Sequence, residues 1–252
     1  MPTFEKTNLA LYADDTAIYA HSFNAQVASS QTQIHVNKIE KYFNKWKMKI
    51  NEHKTEQIVF TRKFTNNKIL NKLRINGNKV DTSKSVKYLG ITLDSRLNFK
   101  KHINNVIIKA NIALKTIYAL MSKNSKMNKR NKITLYKTMI RPVMTYACPA
   151  WSHISKTAYK PLETFQNKCL RIILNKSRYT RVSELRGISG VESVKKYTRI
   201  LSTKFFDKQI KHNNLMRNIT KINENSNTFK KIKHKLIHQH LPIFKENSQV
   251  IS

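Results

Sequence analysis

The chain has 252 residues, with 48 Lys and Arg against 14 Asp and Glu, a formal net charge of +34 at pH 7. A compact domain with that balance repels itself, which points to a polyanionic partner, nucleic acid first, because phosphate contacts release condensed counterions; a base-composition bias toward Asn, Ile and Lys would also raise the lysine count. Two cysteines, Cys148 and Cys169, stand in no zinc-ligand spacing, no apolar run approaches the roughly 20 residues that span a bilayer, and the Met-Pro-Thr-Phe-Glu start lacks a basic-then-apolar leader, so thiolate metal sites, disulfides and a membrane anchor are not expected and a soluble, intracellular protein is.

Glycine is scarce, with four in total, so long helices and few tight loops are expected. Leu9–Tyr12 and Thr16–Ala20 are short apolar runs split by Asp14-Asp15, a hairpin pattern. A helix is predicted from about Ala25 to Lys49, with Ile39, Phe43, Trp46 and Ile50 on one face. Ile58-Val59-Phe60 reads as a strand. Arg74–Val80 holds an Asn-Gly hairpin turn. Lys87–Asp94 reads as one strand, with Gly90 marking a bulge or a close backbone approach.

From there the pattern turns helical. His102, Val106, Ile107, Ala110, Leu114, Ile117 and Met121 share a face. A basic loop is expected over Ser122–Lys132, then apolar stretches around Pro142 up to Trp151. Lys156–Leu174 is amphipathic, Val191–Lys211 is a candidate last helix, and a frayed tail is expected from Asn213. Trp46, Trp151 and His102 follow apolar periodicities and are expected in the core.

Adjacent carboxylates repel, and a divalent cation removes that cost. Mg²⁺ takes oxygen ligands shared between one or two carboxylates and substrate phosphates. On the tetrapeptide Tyr12-Ala13-Asp14-Asp15 alone, a solvated acidic turn is the stronger reading.

The flanks add to it. Leu9–Tyr19 resembles the catalytic hairpin of reverse transcriptases from non-long-terminal-repeat retrotransposons. Phe43–Asn51 with Lys54-Thr55 and Ile58–Phe60, Val86–Asp94 with Leu97 and His102, and the helical sequence around Tyr136, Arg141-Pro142, Trp151, Leu162-Glu163 and Leu170-Arg171 resemble later blocks of the same family, in its insect jockey-like branch, in the same order. The resemblance covers about residues 9–188. It implies an α+β fold: a partial polymerase palm (β-hairpin, helix, short strands) over residues 1–95, an all-helical thumb-like region over 96–188, and a C-terminal helix with a basic tail over 189–252. The Tyr-Leu-Gly-Ile block and the thumb sequence set it apart from group II intron maturases, which share the hairpin.

By the same resemblance, Asp14 and Asp15 are catalytic metal ligands for a two-Mg²⁺ nucleotidyl transfer, with Asp15 the more peripheral, and Tyr12 sits beside the primer end. Lys54 lies near the incoming nucleotide's phosphates, where a solvated lysine is the rival reading. Tyr88, Leu89 and Gly90 form the primer grip, and Arg130, Lys132 and Arg171 are candidates to line the duplex. Implied partners are an RNA template, an RNA/DNA or DNA duplex and a deoxynucleoside triphosphate. The family carries a further palm aspartate, the fingers and an endonuclease before this hairpin, and eight residues precede Leu9 here. The expectation is therefore a truncated enzyme, inactive alone, or else a basic nucleic-acid-binding remnant without chemistry.

Overall fold

The computed structural model describes residues 1–61 and 72–212, which fall into two compact units, one ending at Asn98 and the other starting at Phe99. The first mixes small strands with one long helix and the second is helical. The expected tail from Asn213 lies outside the described residues.

In the first unit, β1 (Asn8–Tyr12) pairs antiparallel with β2 (Asp15–Tyr19). Helix α1 (Ala25–Lys45) starts where the Asn24 carboxamide oxygen accepts from the Gln26 N–H at 2.8 Å. It ends four residues before the predicted Lys49. Lys47 takes a left-handed φ of 55°, and the Met48 and Lys47 N–H groups donate back to Phe43 and Asn44, a Schellman closure with lysine where glycine is usual. Trp46 is thereby placed on the cap, where it is 61% exposed and lies against Tyr42 rather than in the core as expected.

The remaining strands are short. β3 (Glu56–Gln57) pairs parallel with β6 (Asp81–Thr82). Ile58–Phe60, expected as a strand, lies outside β3, and Phe60 is exposed. β4 (Arg74–Ile75) and β5 (Asn78–Lys79) form the predicted hairpin, with Asn76 and Gly77 both at positive φ. The single strand expected over Lys87–Asp94 is instead a third hairpin, β7 (Ser85–Tyr88) with β8 (Ile91–Asp94), turning on Leu89 and Gly90, again both at positive φ. Val36, Ile75 and Val80 form a small core, with Ile18, Ile50 and Leu73 packed against it. Gln33 of α1 exchanges two hydrogen bonds with the Arg74 backbone, and Glu40 accepts from the Asn76 N–H. The helix thus completes the outer edge of β4 with side chains.

The second unit has a larger core. Helix α2 (Lys100–Met121) buries His102, Ile103, Val106, Ala110, Leu114, Ile117 and Met121, the predicted face with Ile103 added and Ile107 only half-buried. Helix α3 (Lys129–Leu135) starts earlier than expected, inside the predicted loop, on an Asn128 cap. It runs into a π-helical turn at Tyr136–Ile140 and then α4 (Arg141–Thr145). Pro142 explains the widening: it has no N–H to donate to Thr138, and the Arg141 N–H reaches back five residues to Tyr136. After α5 (Cys148–Trp151), α6 runs Lys156–Leu174, the bounds its periodicity predicts, capped by the Ser155 hydroxyl and closed by Asn175 at a φ of 51°. A short α7 (Val182–Ser189), absent from the sequence reading, precedes α8 (Val194–His212). Trp151 is fully buried, as expected, and so is Tyr136, whose hydroxyl donates to Gln166 at 2.8 Å.

Candidate functional site in the first unit

The acidic pair stands on the β1–β2 hairpin with a two-residue turn. Tyr12 faces Asp15 across the strands, and Ala13-Asp14 make the turn. Asp14 is therefore the tip residue and Asp15 opens β2. Side chains alternate along a strand, so Ile18, which packs on the small core, faces the opposite side from Tyr12 and Asp15. That leaves Tyr12, Asp14 and Asp15 exposed on the open side. Ala13 has a φ of 51°, which costs roughly 1–2 kcal/mol for a residue with a Cβ. Strain of this kind concentrates at functional sites.

The base of the hairpin is held from behind. Thr7, just before β1, places its hydroxyl 2.6 Å from His35 Nδ1 on α1. His35 Nε2 lies 3.0 Å from the Pro2 carbonyl, and because a carbonyl can only accept, Nε2 carries the proton there. His35 is fully buried, its ring beside Phe4, and Lys38 lies 4.7 Å over the same phenyl. Sequence reasoning missed this support. A His at a buried helical position with a Thr before a strand was its only signal.

Lys54 closes a 3-10 turn, Glu52–Lys54, whose start is capped by the Asn51 carboxamide at 3.2 Å, and its side chain is exposed. The neighbouring Glu52 accepts from the side-chain amides of Asn76 and Asn78, which hold its carboxyl below the ordinary range. The structure brings Tyr88, Leu89 and Gly90 together at the β7–β8 turn, half-buried.

The three candidate cations of the second unit differ. Arg130 is exposed. Lys132 is only 5% exposed, and its ammonium donates to the carbonyls of Ser122 (2.6 Å) and Ser125 (3.3 Å) just past the C-terminus of α2, where a positive charge is favoured. Arg171 is half-buried and donates to the Thr180 carbonyl at 3.1 Å. Lys132 and Arg171 are thus tied into the fold. His102 is buried against Phe99 and Trp151, and burial pushes its pKa down, in keeping with a structural role.

Among the described residues, no cluster of three or more His, Cys, Asp or Glu could hold a metal ion. Asp14 and Asp15 supply hard oxygen donors of the kind Mg²⁺ takes, but two carboxylates do not make a complete set. Cys148 and Cys169 are buried free thiols, raised by burial, Cys169 to about 12. No helix of the described residues is long and apolar enough to cross a membrane.

Residues 2–93 match the family model described as reverse transcriptase (RNA-dependent DNA polymerase). Over 211 residues, 84% of this chain, the sequence is 26% identical to a "Probable RNA-directed DNA polymerase from transposon X-element" of Drosophila melanogaster. Over 181 residues, 72% of the chain, it is 26% identical to the "RNA-directed DNA polymerase from mobile element jockey" of the same fly. The chain is thus similar to the reverse transcriptases of fly transposable elements. The strained acidic hairpin falls inside the residues matched by the family model, and the similarity to the fly elements extends beyond them into the helical unit. The chain spans about a quarter of the length of the curated relatives it matches, 23% of the X-element protein. No solved structure matches it.

Proposed function

We propose that this chain is the hairpin-bearing and helical portion of an RNA-directed DNA polymerase of a mobile element. One observation carries the reading: an exposed Asp14-Asp15 pair on a strained hairpin, within residues that match the reverse transcriptase family. The reaction by family is two-metal nucleotidyl transfer, for which Asp14 would be the principal ligand and Asp15 a supporting one. Tyr12, on the same face as Asp15, would lie beside the primer end. Lys54 would neutralise charge developing on the departing pyrophosphate, and the backbone at Tyr88–Gly90 would approach the primer phosphates. Residues 1–95 would act as palm, 96–188 as thumb, and Arg130 would lead the thumb's contact with duplex.

The chain by itself is expected not to extend a primer, since two carboxylates supply only part of the oxygen ligands that a two-Mg²⁺ site takes. A primer-extension assay with purified protein, Mg²⁺ and a primed RNA template tests this. Template-dependent extension above an Asp14→Ala control would overturn it. The alternative is a basic binding module without chemistry, favoured by the net charge of +34. If Asp14→Asn leaves Mg²⁺ binding as well as nucleic-acid affinity unchanged, the alternative stands and the hairpin is vestigial.

A further inference from the structure

The acidic hairpin overhangs its support. Among the described residues, β1 and β2 pair with each other and with no third strand. Leu9 stands opposite Ile18, and Leu9, Leu11 and Ile18 share the face turned to the core, because side chains alternate along a strand. Ile18 packs on that core and Leu9 is half-buried, but Leu11, two residues nearer the turn, is 52% exposed. Packing therefore stops short of the half that carries Asp14 and Asp15. Asp15 lies three residues beyond Ile18, about 10 Å at roughly 3.4 Å per residue. A tilt of about 10° at Ile18 would carry Asp15 about 2 Å, and a misplacement of about 1 Å can slow a reaction about a hundredfold. A two-stranded hairpin standing alone is marginal in water, and left-handed Ala13 adds strain at the tip.

The root of the hairpin has a second anchor, and it is polar. His35, buried on α1, reaches both ends of the segment that leads into β1. Its Nε2–H donates to the Pro2 carbonyl at 3.0 Å, so in the neutral ring Nδ1 is left to accept from the Thr7 hydroxyl at 2.6 Å. The Thr7 N–H donates to the Phe4 carbonyl at 3.1 Å, closing the turn between them. Thr7 is itself buried and directly precedes Asn8, the first residue of β1. An apolar contact such as that of Ile18 is non-directional, whereas a hydrogen bond weakens steeply off its axis. Ile18 thus holds the hairpin down, and the bond from Thr7 to His35 fixes its tilt.

We propose that His35 is the positioning residue of the acidic pair, acting through Thr7. The inference rests on the reading of Asp14 and Asp15 as the reacting carboxylates. Hydrogen exchange on the purified full chain tests it at residues 8–19 and, in the same sample, in α1 and the β4–β5 hairpin. Thr7→Val removes the hydroxyl at nearly constant volume. Amides of the acidic hairpin are expected to lose protection about tenfold, the effect of one buried acceptor left without its donor, while α1 and β4–β5 change less than about twofold. Thr7→Ser keeps the hydroxyl and is expected to restore the protection. Residual dipolar couplings of the hairpin amides, measured against those of α1, read the tilt directly; they should shrink in Thr7→Val and not in Thr7→Ser. Equal loss of protection in the hairpin and α1 would make the contact a general structural one and overturn the proposal. An unchanged hairpin in Thr7→Val, or no protection at residues 8–19 in the unaltered chain, would overturn it as well. None of these outcomes bears on whether the aspartates hold Mg²⁺, which Asp14→Asn tests separately.

Discussion

Removing one hydroxyl, by Tyr136→Phe, tests the helical core most directly. Tyr136 and Gln166 are both fully buried, and the phenol donates to Gln166 Oε1 at 2.8 Å. Gln166 Nε2 in turn donates to the Glu192 carbonyl at 2.9 Å, fixing which way the carboxamide points. The Met144 sulfur, 4.0 Å from the phenol, is a weak acceptor and cannot donate to Gln166 in its place. Phenylalanine keeps the ring and its burial, so hydrophobic loss is negligible. What changes is a buried carbonyl oxygen left without a donor, a cost of about 1–3 kcal/mol. Equilibrium urea melts followed by far-ultraviolet circular dichroism read this, because the helices dominate the signal. A double-mutant cycle with Gln166→Leu should show the pair coupled, the double variant losing about 1 kcal/mol less than the sum of the singles. A Tyr136→Phe loss under about 0.5 kcal/mol, or strict additivity, would refute the buried pair.

Lys132→Met should destabilise the helical unit by about 1–3 kcal/mol, because two carbonyls beyond α2 lose a charged donor, whereas Arg130→Met, at an exposed position, should change stability by less than about 0.5 kcal/mol; chemical melts of both variants check this. His102 is held neutral by burial, with its pKa below 6.5. The unfolded chain therefore binds the extra proton first, and stability is lost as pH falls below about 6.5; thermal melts from pH 7.5 to 5 should show this, with a flatter profile for His102→Gln. Amides of residues 100–175 should exchange hydrogen more slowly than those of the first unit, whose buried apolar core includes Val36, Ile75 and Val80; equal protection would mean that the first unit is self-sufficient.

What the sequence made legible depended on whether each residue advertised its backbone. The turns at Asn76-Gly77 and Leu89-Gly90 have both central residues at positive φ. The first was readable because Asn and Gly favour that region, and the second was read as a continuous strand because leucine does not. Closure of α1 by Lys47 was hidden for the same reason, since lysine does not favour a left-handed φ. Amphipathic period located α2 and α6 almost to the residue, since their burial faces neighbouring helices. It failed for α7, eight residues long with only Leu185 and Ser189 buried. At the candidate site the two aspartates were evident from residue type and context. The burial of Lys132 was not, because a lysine tied to carbonyls and a solvated lysine look alike in a chain so rich in them. The support of β1 by His35 and Thr7 was hidden too, since those residues lie 28 positions apart.

The two-residue turn at Ala13-Asp14 makes the acidic hairpin a matter of parity. Tyr12 stands opposite Asp15, and the three-residue step from Asp15 to Ile18 puts Asp15 on the open side when Ile18 faces the core. One residue inserted after Asp14, with the core contact of Ile18 preserved, would leave Asp15 unmoved but carry Asp14 farther from its neighbour. Inserted after Asp15 under the same constraint, it would turn that carboxylate toward the core face. Substitution changes one side chain at a time, whereas a single-codon insertion can exchange inside for outside along a whole strand. The hairpin should therefore accept varied residues at Ala13 more readily than any change in its length.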